Sequence, residues 1–244
     1  MTIAHITDLH VGREGEHPYE VDVRSRFRRI VAALAVEQLD VVVIGGDLCY
    51  RDGAEEIYAW IRGELSPLKA PVYVVPGNHD ESELLARSFG LEGELKGGKL
   101  YYRREVQSRA LIFLDTADAT LSADQLSFLE KSLAEGRGEP ALVFMHHPPV
   151  KAGVYYMDLK YPLLNREEVQ KSIDGTGCAV FCGHYHVDKT VSIGNLTVYI
   201  TPSTFVQIDQ KAKEFTIDHR RIGWRRIRAE GEKIVTTVHY VEDV

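Results

Sequence analysis

Short apolar runs recur along the chain, and most are followed at once by a polar cluster. Residues 2–7, 41–44, 72–75, 110–114, 141–145 and 179–182 are runs of this kind, and they predict strands. The run 41–44 is aliphatic throughout, as expected of a strand covered on both faces. Amphipathic stretches lie between the runs. Phe27, Ile30, Val31, Leu34 and Ala35 share one helical face of 24–38, and Ile57, Trp60, Ile61 and Leu65 share one of 55–65. Shorter helices are predicted at 82–89, 122–133 and 166–173, with Ser122 as an N-cap and Gln125 suited to a capping box. Residues 90–98 are Gly-rich and irregular. Residues 100–102 are expected to pair with 110–114 across a polar turn, and 150 to about 165 to form a loop. Beyond 191 the pattern becomes one of alternation, with two strands about Gly194-Asn195 and further antiparallel strands toward 244, of which 234–241 is the clearest.

Strands alternating with helices predict an α/β architecture with a largely parallel sheet. No linker, low-complexity tract or internal repeat interrupts it, so one domain over 1–244 is expected. In such sheets ligands bind beyond the carboxyl ends of the strands. Five of the strand ends carry Asp, Asn or His: Asp8 and His10; Asp47; Asn78 and His79; His146; His184 and His186.

Composition bounds the function. A chain of 244 residues with 44% hydrophobic and 27% charged content has the make-up of a soluble globular protein. A net charge of −7 argues against a stable grip on duplex nucleic acid, though not against a small anion, since bound metal ions reverse local charge. The three cysteines, Cys49, Cys178 and Cys182, form no CxxC pair and are expected to be reduced. The N-terminus enters a strand without a secretory pattern and no apolar run approaches a membrane span, so a cytoplasmic location without membrane association is the expectation.

Taken singly, Asp8 suits a turn cap, His10 a surface histidine, Asp47 after two glycines a turn, and Asn78 its own loop. Taken together, carboxylate and amide oxygens mixed with imidazoles favour Mn, Fe, Zn or Co over Ca or a thiolate site. The set is too large for one ion and right for two, and two metals roughly 3.5–4 Å apart form a clamp for displacement at phosphorus. Asp47, alone on its strand end, is the best candidate for a bridging carboxylate.

The motifs Asp8-x-His10, Gly46-Asp47, Gly77-Asn78-His79-Asp80, His146-His147-Pro148 and Gly183-His184-x-His186 stand in this order, each after an apolar strand. The pattern resembles the calcineurin-like metallophosphoesterase superfamily. The resemblance implies two packed mixed β-sheets flanked by helices, a four-layer αββα sandwich. It implies that Asp8, His10, Asp47 and His186 bind a first metal and Asp47, Asn78, His146 and His184 a second, the ions being divalent or mixed-valence Fe, Mn or Zn. A hydroxide held between them attacks phosphorus. His79, not a ligand, protonates the leaving alkoxide or stabilises its charge, and its other ring nitrogen is held by Asp80 or by a group from elsewhere. His147, next to Pro148, is expected beside the ligands rather than among them.

Within the superfamily, the Asp-Arg-Gly and Asn-His-Glu of protein phosphatases are missing, since the chain has Gly46-Asp47-Leu48 and Asn78-His79-Asp80. The segments Met157-Asp158-Leu159 through Leu164-Asn165, Thr201 through Gln207 and Phe215 through Arg225 are similar to class III bacterial cyclic nucleotide phosphodiesterases, including the 3′,5′-cyclic AMP group, and to their glycerophosphodiesterase relatives. The implied enzyme is a phosphodiester hydrolase for a cyclic nucleotide (3′,5′-cyclic AMP or a 2′,3′-cyclic nucleotide). The alternative is a glycerophosphodiesterase or a broad phosphodiesterase or phosphomonoesterase. A small anionic diester is then the partner, and a homodimer is compatible with the pattern. Tyr155, Tyr156 and Asn165 of the 150–165 loop border the leaving-group or nucleoside pocket, or else the tyrosines cover the core or a dimer contact.

Overall fold

The computed structural model describes residues 1–136 and 138–241, so the last three residues of the expected antiparallel region lie outside the described residues. The apolar runs form the centres of two sheets. The first contains β1 (Thr2–Ile6), β2 (Val41–Ile44) and β3 (Val72–Val74), joined in parallel, with the long hairpin β10 (Ile222–Glu230) and β11 (Lys233–Val241) added antiparallel beside β1. The second contains β4 (Tyr102–Val106), β5 (Arg109–Leu114), β6 (Leu142–Met145), β7 (Ala179–Cys182), β8 (Lys189–Ile193) and β9 (Leu196–Ile200) in the order β8-β9-β7-β6-β5-β4. Its four central strands β9, β7, β6 and β5 run parallel, and the two edges run antiparallel.

Alternation along the strands explains the layering. In β5, β6 and β7 the side chains Leu111, Phe113, Leu142, Phe144, Ala179 and Phe181 join the core between the sheets. Their neighbours Ile112, Leu114, Val143, Met145, Val180 and Cys182 join a second core under the outer helices. Between the sheets a ladder of rings, Tyr102, Phe113, Phe144, Phe181 and Tyr199, crosses five strands in register. Successive centroids are 4.6, 5.4, 5.4 and 5.0 Å apart. Such offset stacks are worth roughly 0.5–1.5 kcal/mol each beyond their buried area. Tyr73 of β3 and His5 of β1 pack onto this ladder from the first sheet.

Helices cover the outer faces. α1 (Val23–Ala35) buries Phe27, Ile30, Val31 and Leu34 and is capped by Asp22, whose carboxylate accepts the Ser25 N–H at 2.9 Å. α2 (Glu55–Glu64) and α3 (Ser82–Phe89) pack together beside the first sheet. α4 (Ala123–Ala134) and α6 (Arg166–Ile173) cover the second. The four-layer arrangement is as expected. Ser122 does cap α4, but Gln125 completes no capping box: its buried amide spans the backbone N–H and C=O of Asp115, both at 2.9 Å. The stretch 150–165 is also not all loop, because Tyr155–Lys160 forms α5. Six residues are too few for a periodic signal. Among the described residues no helix is long and apolar enough to cross a membrane.

Candidate metal centre

The five polar strand ends meet at one end of the sandwich, three from the first sheet and two from the second. The chain leaving β1 and the chain leaving β2 run side by side: the N–H groups of Asp8 and His10 donate to the carbonyls of Gly46 and Asp47, both at 3.0 Å. Across the seam, the Asp8 carboxylate accepts the His184 N–H at 3.0 Å, and His146 Nε2 lies 3.8 Å from Asp8 Oδ1 and 3.3 Å from Asp47 Oδ2.

The backbone at these ends is unusual. Asp8, His10, Asp47, His184 and His186 all have φ between 46° and 66°, so half of the ten non-glycine positive-φ residues among those described lie here. Held left-handed conformations cost of order 1–3 kcal/mol each, and they cluster at functional sites. Asp8 and His10 therefore converge through successive turns beyond the end of β1. Glycine makes the close approach possible at two points. A Cβ on Gly77 would run into the carboxylate and N–H of Asp47, and one on Gly183 would run into Thr7 and Asp8.

Three groups of donor atoms result, each within 4.8 Å: Asp8, His10 and His186; His10, Asp47 and His79; and Asp47, His146 and His184. Among the described residues His10 and Asp47 each belong to two of them, and of the two carboxylates only Asp47 is shared. His79 Nε2 is 4.0 Å from Asp47 Oδ2, and Asn78 is exposed on the wall of the same cavity. Asp8, His10, Asp47, Asn78, His79, His146, His184 and His186 are thus gathered at one place. His147 is beside them: its Nδ1 is 3.0 Å from Thr116 Oγ1 and its ring lies 4.0 Å from that of His184. The acid ending β5, Asp115, is used elsewhere, accepting from Ser82 and from the Leu100 N–H.

The imidazoles are oriented from behind by carbonyls, which can only accept. His146 Nδ1–H donates to Gly45 at 2.7 Å, His186 Nδ1–H to Val206 at 2.8 Å and His184 Nε2–H to Tyr161 at 2.9 Å. The inward nitrogens are thereby left for another partner. His79 Nδ1–H donates to the Arg51 carbonyl at 2.8 Å, so Asp80 is not its partner. Asp80 instead accepts from the N–H groups of Leu48, Cys49 and Gly77 and from the Tyr58 hydroxyl, fixing the turn that carries Asp47.

Burial opposes every charge here. At Asp8 the His186 cation outweighs burial and draws the carboxyl down to about 2, and His146 likewise holds Asp47 well below the usual range. Reciprocally, Asp47 and Asp8 overcome burial at His146 and raise it to about 9, while Asp8 raises His186. Burial dominates at His10 and His184, which fall to about 3. Two buried carboxylates are thus balanced by protons on two imidazoles that point at them. His146 Nε2 and His10 Nδ1 nevertheless lack a hydrogen-bond partner, and His10 Nε2 faces His186 Nε2 at 3.1 Å. Facing imidazole nitrogens and unsatisfied buried nitrogens beside carboxylates fit a pair of divalent cations.

The calcineurin-like phosphoesterase family model matches residues 1–188, which include all eight of these residues. The chain belongs to the calcineurin-like phosphoesterase family. It is therefore a metal-dependent hydrolase of phosphoric esters, and the clustered donors indicate a binuclear site. Among curated relatives, this phosphoesterase is 37% identical to a probable cyclic nucleotide phosphodiesterase of Fibrobacter succinogenes, covering 98% of this chain and 93% of the relative. It is 26% identical to the 3′,5′-cyclic adenosine monophosphate phosphodiesterase CpdA of Escherichia coli, covering 99% and 90%. In fold it matches a dimetal phosphatase from Danio rerio with a TM-score of 0.68 at 16% identity, covering 96% of this chain and 98% of that one.

A cavity of about 740 Å³ opens over the donors. Its far wall includes Tyr19, Tyr50, Arg51, Tyr161, Phe205 and Phe215, none of which the sequence alone places at the site. Phe205 and Phe215 fall in segments similar to the cyclic nucleotide phosphodiesterases and Tyr161 in the 150–165 stretch, but no local pattern aims their rings at the cavity. Tyr156 lines the cavity as one reading of its segment had it, but Asn165 does not: its amide bonds the backbone of Leu121 ahead of α4. The Thr201–Gln207 segment braces the site, with Ser203 and Thr204 hydroxyls donating to the Asp8 carbonyl at 3.0 and 3.4 Å.

Proposed function

We propose that the chain is a dinuclear-metal phosphodiesterase that hydrolyses a cyclic nucleotide. The observation that carries this reading is Asp47, whose carboxylate lies 3.6 Å from His10 Nε2 of the first sheet and 3.3 Å from His146 Nε2 of the second, with His79 beside it. The relatives' names support the diester and the cyclic nucleotide. In this reading Asp8, His10, Asp47 and His186 hold one ion and Asp47, Asn78, His146 and His184 the other, the ions being Fe, Mn or Zn. When bound, such a pair supplies a water of near-neutral pKa and positive charge for the phosphoryl oxygens.

The chain's own residues account for the rest. The carbonyls of Gly45, Val206 and Tyr161 accept one N–H each from His146, His186 and His184, so that the other ring nitrogen of each is turned to the donor cluster and would hold an ion in place of a proton. The His147 ring, held by Thr116, packs on His184 and limits its rotation. His79 is held by Arg51 at Nδ1 and turns Nε2 toward the cavity. Carrying a proton on Nε2, it delivers that proton to the departing alkoxide, so the sugar oxygen leaves as an alcohol.

The test is a panel of phosphoesters offered to metal-reconstituted protein: 3′,5′- and 2′,3′-cyclic nucleotides, glycerophosphodiesters, dinucleotides and monoesters. Metal-dependent cleavage, fastest on a cyclic nucleotide, is the expected result. Turnover confined to monoesters, or fastest on glycerophosphodiesters, overturns the reading.

A further inference from the structure

The cavity wall facing the donors is made of rings that form a continuous arc. Phe205 lies 5.2 Å from His10 and 6.4 Å from His186, centroid to centroid. Tyr19 is 6.0 Å from Phe205, and Phe215 is 5.4 Å from Tyr19. Tyr156 is 6.3 Å from Phe215, and Tyr161 is 5.6 Å from Tyr156 and 6.5 Å from His184. The arc thus starts at one donor group and ends at another, and its five rings come from four separate parts of the chain.

Phe205 anchors the arc in the core beside Val21 and Val23, and three of the other rings stand out of the core. Tyr19 is 48%, Tyr161 49% and Phe215 37% exposed, in a chain whose interior rings are stacked out of water. Apolar surface left open around a cavity gains free energy only when something flat and weakly hydrated covers it. Tyr19 is also presented at a cost. It sits at φ 50° and ψ 34° and is followed by Glu20 at φ 62°, and this turn is tied down by Arg220 donating to the Tyr19 carbonyl at 2.8 Å. A second guanidinium, that of Arg26, donates to the Phe205 carbonyl. Arg220 and Arg26 thus hold the backbone that carries Tyr19 and Phe205 and fix the two rings at the cavity wall.

We propose that this arc is the recognition surface for a nucleobase, and that Tyr19 and Phe215 set the preference for diesters carrying a base over aliphatic diesters. The inference rests on the phosphodiesterase reading and names the part of the substrate that the donors cannot distinguish. A base stacked on the arc keeps its sugar phosphate within the same cavity of about 740 Å³, a volume that suits a mononucleotide. Stacking tolerates any base, since every base offers a π-face.

Two measurements test it with the Tyr19→Ala/Phe215→Ala double variant; both positions are exposed, so the fold does not depend on them. In the first, adenosine, which carries no phosphate, is titrated calorimetrically into metal-free protein. Wild type is expected to bind at least tenfold more tightly than the double variant, and Tyr19→Phe is expected to bind like wild type. In the second, the metal-loaded enzymes are compared on a cyclic nucleotide and on a dialkyl phosphodiester. KM for the nucleotide should rise about tenfold with little change in kcat, and kcat/KM for the aliphatic diester should be unchanged. Equal adenosine binding by the two proteins, equal losses on both substrates, or a wild-type preference for a choline diester that the variant loses would overturn it. If no diester is cleaved but adenosine binding still depends on the two rings, the catalytic reading fails and the base site stands.

Discussion

The Nδ1–H of His79 donates to the carbonyl of Arg51 across 2.8 Å, and the same ring places Nε2 4.0 Å from Asp47. A histidine fixed this way has one nitrogen committed to the protein and one available for a proton transfer. His79→Ala is expected to keep both ions and to lose roughly 10²–10⁴ of kcat, the usual range for a general acid. Metal analysis and kinetics on two diesters check it. The loss should be large for an alkoxide leaving group and small for a nitrophenolate, and equal losses on both would remove the acid role.

The Asp47 carboxylate stands between His10 Nε2 at 3.6 Å and His146 Nε2 at 3.3 Å, whereas His184 belongs to one donor group. Asp47→Ala should therefore abolish stable binding of both ions, and His184→Ala should leave about one ion per chain. Elemental analysis after gel filtration separates these outcomes. Two retained ions in the Asp47 variant would rule out a bridging carboxylate.

Gly77 and Gly183 are places where a methyl group has no room. Gly77→Ala puts a Cβ into the Asp47 carboxylate, and Gly183→Ala puts one against Thr7 and Asp8. Each is expected to destabilise the fold by about 1–3 kcal/mol and to weaken metal binding. Gly63, inside α2 with open space where a Cβ would stand, is the control. Gly63→Ala should raise stability by up to about 1 kcal/mol. Denaturant melts of the three variants provide the comparison.

The protonation pattern predicts a stability optimum for metal-free protein. His146 rises from 6.5 to about 9, so its contribution is complete below pH 6.5 and is lost as the pH climbs through 9. His10 and His184 fall from 6.5 to about 3, so theirs is complete above pH 6.5 and is lost as the pH drops toward 3. Thermal midpoints of chelator-treated protein should peak near neutrality and decline on both sides. In reconstituted protein the alkaline decline should disappear, because an ion takes the place of the His146 proton. The same alkaline decline in both forms would show that His146 faces no metal.

Much of the site was legible because its signals are local. An apolar run followed by Asp or His marks a strand's carboxyl end, and a parallel sheet lines up such ends whatever lies between them. The turns themselves were not legible: Asp and His enter the left-handed region more readily than most residues, yet so seldom that residue type alone does not mark a left-handed Asp8 or His186. Asp80 illustrates a related difficulty. A carboxylate next to His79 looks like its partner, yet the turn directs it to three N–H groups and Tyr58 instead. The aromatic arc was out of reach for a different reason, since Tyr19 and Phe215 are neighbours in space only because the chain folds back over nearly its full length.

The sheet order has a consequence for synthesis on the ribosome. β1 pairs on one side with β2, which follows early, and on the other with β10, which begins at Ile222. All eight polar residues of the site have been made by His186, while one edge of β1 is still bare. A nascent chain can thus carry every donor and still expose an unpaired strand edge, the kind of surface that invites mispairing. Only the arrival of the last hairpin closes it.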